Sequence, residues 1–204
     1  MQVEWEDSRR AFADAAAWFT RITSFVGQRW EQPALGEWDV CALVGHTSRS
    51  FLTVEEYLAQ PAAGVDLETA ADYYRATRQL ARGPGVAVRG RQAGAALGDA
   101  PATAVEQLAT RVLQVLDGCD GCELVTTIAG GMRLDAYLPT RVFELAVHTT
   151  DLAAALGLPA DVPATAARQA LELVAELAAG DGLAGPLLLA TTGRGALPPE
   201  FSVL

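Results

Sequence analysis

Glu144 and His148 stand four residues apart in a segment, Leu138 to Leu156, that is otherwise strongly apolar. In a helix that spacing sets one side chain above the other, so a carboxylate and an imidazole can converge on one ion. Arg141 and Asp151 are the segment's other charged residues. At about 100° per residue, all four fall within one stripe less than a quarter-turn wide. Two readings follow. The stripe is the helix's wet face, with Arg141 and Glu144 as a surface ion pair, or it points inward and carries metal ligands.

The chain's one other histidine, His46, lies beside Leu43 and Ser50 on the flank of an apolar stripe: Val40, Leu43, Val44, Thr47, Phe51, Val54 and Leu58. Alone, it reads as a satisfied core histidine. Facing the later helix, it completes a set of two imidazoles and one carboxylate, His46, Glu144 and His148. That set suits Zn²⁺ and leaves one position for water or substrate. The imidazoles must be neutral and the glutamate ionised, so binding should weaken in acid.

The elements that must position these groups are mostly helical. Residues 5–29 form a first helix on the spacing of Trp5, Phe12, Ala16, Phe19, Ile22 and Val26, broken by Pro33 and Gly36. Asp39 caps a second that stops before Pro61. Residues 66–82 carry a third pattern on Leu67, Ala70, Ala71, Tyr74 and Leu80. Gly83 to Asp99, rich in Gly and Arg, reads as a loop, with Arg89 and Arg91 on a lid over the site as a second possibility. A helix from Pro101 to about Leu116 follows, then a β-rich piece from Leu124 to Ile128, the helix 138–156 and another over 163–179. Pro186 to Thr192 reads as a last short strand. Several helices with short connections predict a mainly all-α antiparallel bundle. The expected organisation is one domain over 1–204, with the bundle over roughly 5–157 and the C-terminal helix and short strand over 163–204.

Composition excludes several functions. The 204 residues carry a net charge of −10 and include no Lys, all 15 basic residues being Arg. No lysine Schiff base can form, and an acidic surface argues against nucleic acid and anionic membranes as partners. Three cysteines, Cys41, Cys119 and Cys122, are too few for a disulfide scaffold. With no apolar signal core and no membrane-length apolar run, the expectation is a soluble cytoplasmic protein. Self-association into a homo-oligomer stays open. Cys119-x-x-Cys122 lies in a Gly-rich turn without nearby histidines, which makes it a weak zinc or redox signal. For a carboxylate substrate a guanidinium clamp is needed. Arg78, Arg82, Arg89, Arg91 and Arg133 are available, with Arg78 and Arg82 taken as the substrate-binding pair.

Three stretches carry a family resemblance. Gly36-Glu-Trp-Asp-Val-Cys-Ala-Leu-Val-Gly-His46 resembles the Trp-x-Val-x-x-Leu-x-x-His segment of the mycothiol-dependent maleylpyruvate isomerase metal-binding domain, one of the DinB-like helical bundles. Within Gly131–Gly157, Arg141-x-x-Glu144-x-x-x-His148-x-x-Asp151 resembles that domain's second signature. The tail from Thr192 to Leu204 resembles the end of related short members. The resemblance implies a DinB-like four-helix bundle and a metal triad at His46, Glu144 and His148. It also implies the thiol cofactor mycothiol, its sulfur in the open position. Asp151 then either orients a ligand imidazole or pairs with Arg141. Fuller isomerases carry a further sterol-carrier-like domain, for which this chain is too short. The implied activity is a metal-dependent isomerase or thiol S-transferase acting on a small electrophile. The alternative is a non-catalytic metal-binding or regulatory bundle.

Overall fold

The spacing of apolar residues along 40–58 yields one helix of a four-helix ring. The structure, a computed structural model, describes residues 5–81 and 85–204. Helices α1 (Trp5–Ser24), α2 (Val40–Leu58), α5 (Pro101–Leu116) and α6 (Leu134–Leu156) form the ring: α1 and α2 each pack against both α5 and α6. Phe12 and Phe19 of α1 and Phe51 of α2 are fully buried in the middle of the ring, the Phe51 centroid 6.0 and 5.9 Å from those of Phe12 and Phe19. Each such side chain contributes about 1.5–3 kcal/mol on burial. The mainly all-α, DinB-like bundle expected from the sequence is the architecture found. None of the described helices is long and apolar enough to cross a membrane.

Two short hairpins lead into the helices that carry the site. β1 (Pro33–Leu35) pairs antiparallel with β2 (Trp38–Asp39), which runs directly into α2. Asp39 caps α2 as expected, its carboxylate accepting from the Ala42 N–H at 2.7 Å. β3 (Leu124–Thr127) pairs antiparallel with β4 (Gly130–Arg133), which runs directly into α6. α6 therefore begins a turn earlier than the Leu138 start read from the sequence, and Pro139 lies inside it. A proline signals a helix start because its ring fits the first turn. Here the loop before β3 extends the helix backwards: the Leu134 and Asp135 N–H groups donate to the carbonyls of Glu123 and Gly121, at 2.8 and 3.0 Å. Gly157, left-handed at φ 68°, ends α6 as expected.

The expected third helix is α3 (Ala70–Ala81), packed on α6. The expected loop from Gly83 to Asp99 is largely helix instead: α4 (Gly85–Ala96) lies along α2. Glycine costs a helix about 1 kcal/mol relative to alanine, which made the segment look like a loop. Close packing outweighs that cost. A Cβ on Gly45 of α2 would fall 2.0 Å from the Gly94 nitrogen, and one on Gly94 would fall 2.6 Å from the Cys41 carbonyl. The two backbones touch where side chains could not fit. Beyond the ring, α7 (Ala164–Gly180) packs on α6 and α1. The expected strand at 186–192 is also a helix, α8 (Ala184–Thr191). A lone strand there has no ladder to join, whereas a helix satisfies its own backbone groups.

Candidate metal centre

The α2–α6 contact brings the three sequence-derived donors together. One ligand atom each from His46, Glu144 and His148 lies within 4.8 Å of the others, the one such group of three or more His, Cys, Asp or Glu donors among the described residues. The imidazole planes of His46 and His148 are nearly perpendicular, with centroids 4.8 Å apart. His148 Nε2 lies 3.2 Å from Glu144 Oε2. Two ligands on one tetrahedral zinc, with bonds of about 2.0–2.2 Å, sit roughly 3.3 Å apart, so this pair is already spaced for a shared ion.

Each donor is held by a further contact. His148 Nδ1 lies 3.1 Å from Asp151 Oδ2, one turn on. With the ring proton on Nδ1 and aimed at that carboxylate, Nε2 keeps its lone pair for the site. Asp151 lies against His148 and makes no ion pair with Arg141 among the described residues. The Tyr74 hydroxyl, on α3, lies 2.7 Å from Glu144 Oε1 and 3.2 Å from the Thr140 carbonyl oxygen. Its donation occupies Oε1 and leaves Oε2 facing His148. The indole of Trp38 lies against His46, centroids 4.5 Å apart and planes 35° apart, and its Nε1 donates to the Ala87 carbonyl on α4 at 3.1 Å. A Cβ on Gly90 would strike that indole at 2.7 Å. Thus α4 presses Trp38 onto a candidate ligand.

Charge follows from this packing. Burial lowers the His46 pKa to about 4, helped by the neighbouring His148, so its imidazole is neutral at pH 7. Its Nδ1 is buried and has no protein partner. A sealed polar atom without a partner costs about 1–3 kcal/mol, a cost that a cation bound at this nitrogen would remove. Burial opposes charge on His148 as well, but hydrogen bonds to Asp151 and Glu144 outweigh it and raise the pKa to about 9. Burial likewise opposes charge on Glu144. His148, Arg141 and Tyr74 prevail and hold its carboxyl far below the ordinary range. Without a cation, then, one proton is shared in the cluster on His148. Two imidazoles, an ionised carboxylate and an orphaned ring nitrogen are the donor set that a borderline cation such as Zn²⁺ takes.

The other sequence-derived residues fall elsewhere. Arg141 is buried and lies over the rings of Tyr137 and Tyr73, at 5.1 and 5.6 Å to the centroids. It is neither on a wet face nor paired with Glu144. Arg78 is engaged by Asp181 and by the Val203 carbonyl. Arg82, expected to act with Arg78, lies outside the described residues. Arg89 is exposed, and Arg91 is a surface residue 3.9 Å from Glu37. Arg133 pairs with Asp135 and donates to Cys122 Sγ at 3.3 Å. Cys119 and Cys122 are free thiols. Burial, followed by Glu123, raises the Cys119 pKa to about 11, which keeps it an unreactive thiol. Sequence reasoning missed two contributors. Tyr74 was one apolar-stripe residue among several, and Trp38 stood only as the first residue of the resembling Trp-x-Val-x-x-Leu-x-x-His segment. The Gly90-x-x-x-Gly94 spacing was the available clue to α4.

No curated protein and no solved structure matches the chain. The sequence profile of the mycothiol maleylpyruvate isomerase N-terminal domain matches residues 4–153. That span contains all three donors, the whole of α2, and α6 as far as Ala153. With about three-quarters of its length so matched, the chain belongs to the mycothiol maleylpyruvate isomerase N-terminal domain family.

Proposed function

We propose that the chain is a metal-dependent enzyme that uses a small thiol of the mycothiol kind as its nucleophile. It acts as an isomerase or an S-transferase on a small electrophile. His46, Glu144 and His148 would hold the ion, with zinc the metal their chemistry suits best. A divalent cation there supplies the deprotonation of a coordinated thiol at neutral pH, which makes it nucleophilic.

The chain's own residues prepare that chemistry. Asp151 fixes the tautomer and tilt of His148. Tyr74 holds one oxygen of Glu144 so that the other faces the histidines. Burial keeps His46 neutral, while Trp38 shields it from water.

The observation that carries this reading is the donor count. Asp151 is committed to the outer nitrogen of His148, and the cluster among the described residues holds three donors rather than four. A structural zinc site closes its shell with four protein ligands, whereas a catalytic one keeps a position open. This favours an enzyme over the non-catalytic bundle.

The test is metal analysis of wild type and His148→Ala, followed by a thiol-dependent turnover screen on unsaturated acids. About one zinc per chain in wild type and little in the variant is expected, with turnover that requires both metal and thiol. Negligible metal in both would remove the proposal.

A further inference from the structure

The segment that joins α5 to β3 holds two free thiols three residues apart, Cys122 exposed and Cys119 half-buried. Between them Gly121 takes a left-handed φ of 86°, and the chain bends there. Where a chain reverses over four residues, the end Cα atoms lie within about 7 Å of each other, the span that a disulfide bridges. The bend is tightly held. Trp5 Nε1 donates to the Cys119 carbonyl at 3.1 Å. The Asp120 and Gly121 N–H groups donate to the Glu123 carboxylate at 3.1 and 2.9 Å, and the Cys122 N–H donates to Asp120 Oδ1 at 2.8 Å.

The two sulfurs have different surroundings. Cys122 Sγ accepts from Arg133 Nη2 at 3.3 Å, and Asp135 fixes that guanidinium with contacts of 2.8–3.2 Å. A guanidinium donating to sulfur favours the thiolate, the form that attacks. Cys119 Sγ donates to the Val115 carbonyl at 3.5 Å, and burial, then Glu123, keep it protonated. It is inert toward outside reagents, but toward a sulfur in the same bend proximity stands in for nucleophilicity. An exposed attacking thiol beside a protonated resolving thiol is the arrangement a dithiol needs to exchange with disulfides. Neither cysteine belongs to a cluster of three or more metal donors among the described residues, which sets aside a zinc role. Cys41 is half-buried on α2, where burial and Asp39 raise its pKa, and serves as an internal control.

We propose that Cys122, activated by Arg133, and Cys119 form a reversible redox pair whose co-substrate is a low-molecular-weight disulfide, R–S–S–R. The Cys122 thiolate attacks one of its sulfurs. The R–S–S–R bond breaks, a Cys122–S–S–R bond forms, and R–S⁻ leaves, taking up the proton that Cys122 gave up. Cys119 Sγ then attacks Cys122 Sγ and passes its proton to the second departing R–S⁻. The Cys119–Cys122 bond replaces the mixed one, so two protein thiols are oxidised while one disulfide is reduced to two R–SH. Excess R–SH reverses both steps. The pair lies against the first turn of α6, about 20 Å along the helix axis from His148 at 1.5 Å per residue. It is therefore a second site, and it stands whether or not the triad holds a metal.

The test treats the full chain with bis(2-hydroxyethyl) disulfide, a small neutral probe. Free thiols are trapped by alkylation over time, and peptide mass spectrometry reads the products. Wild type should end with the Cys119–Cys122 bond and with Cys41 still a thiol. Cys119→Ser should stop at one adduct, on Cys122. Cys122→Ser should react at least about tenfold more slowly, and Arg133→Gln should also react more slowly than wild type. Equal rates in the two serine variants overturn the proposal. So does an Arg133→Gln rate equal to wild type, or a wild type that never forms the internal bond. Should a variant fail to fold, the wild-type time course decides. An adduct on Cys122 that precedes the internal bond supports the pair, and a first adduct on Cys119 overturns it.

Discussion

The hydroxyl of Tyr74 donates to Glu144 Oε1 at 2.7 Å, across the contact between α3 and α6. Burial first, and then the Glu144 charge, push the Tyr74 pKa well above its ordinary value, so the phenol stays a donor at any working pH. The contact selects which carboxylate oxygen remains for the histidines. Tyr74→Phe should keep the fold, since the ring still packs on Phe143 at 5.3 Å. It should weaken metal affinity about 10-fold or more, in the range seen when partners of metal ligands are removed. A competitive zinc titration against a fluorescent chelator would measure this, and unchanged affinity would show that Glu144 needs no such partner.

Asp151→Asn removes the charge that holds the Nδ1 proton of His148 while keeping the size of the side chain. The same titration should report a loss of about 10- to 100-fold. The His148 pKa, followed by NMR in the metal-free protein, should fall from about 9 toward its ordinary 6.5.

Metal binding should strengthen with pH. The groups facing His148 are Glu144 and Asp151 from its own helix and His46 from α2. Burial opposes the charge, but Asp151 and Glu144 outweigh it and raise the folded pKa to about 9, so a proton must leave before a cation can bind. Between pH 6.5 and 9 the apparent affinity should rise by about tenfold per unit, with roughly one proton released per ion. The metal-free protein should behave oppositely. A raised folded pKa gives a stability contribution that is complete below 6.5 and is lost as pH climbs through 9. The metal-induced gain in melting temperature should therefore widen over that window. His46 has its own window. Its pKa is depressed to about 4, so the metal-free fold should lose stability as pH falls from 6.5 through 4. Paired thermal melts with and without zinc across pH 4–9 would check both signs.

Gly94→Ala tests the α2–α4 contact. Its added methyl meets the Cys41 carbonyl at 2.6 Å, a backbone atom that cannot rotate away. Overpacking of this kind costs about 1–3 kcal/mol. The melting temperature should drop by several degrees, and Trp38 fluorescence should change as the indole loses its support. Gly64→Ala, where a Cβ meets nothing within 4 Å, is the control expected to melt like wild type.

The candidate site was legible in the sequence to the extent that it depended on helical spacing. Glu144, His148 and Asp151 lie on the long, well-patterned α6, and Asp39 marked the start of the helix that bears His46. What escaped depended on tertiary contact. The glycines of α4 argue for a loop until a neighbouring backbone occupies the space their side chains leave. Tyr74 sits on an apolar stripe like any core aromatic, and only the position of α3 turns its hydroxyl into a partner for Glu144. Arg141 shares a stripe with the ligands, and the stripe cannot reveal that its nearest neighbours are tyrosines rather than carboxylates. The Leu187–Leu189 run of α8 has no periodicity to separate helix from strand.

The histidine of α2 and the glutamate–histidine pair of α6 are far apart along the chain, 148 − 46 = 102 residues at the widest. An ion joining them would act as a crosslink closing a loop of about a hundred residues, and loops of that size carry a large closure entropy in the unfolded chain. Cation binding would thus be a clasp on the whole topology, assembled late because nothing local can form it. Separated halves of the molecule should hold no zinc until they have refolded together.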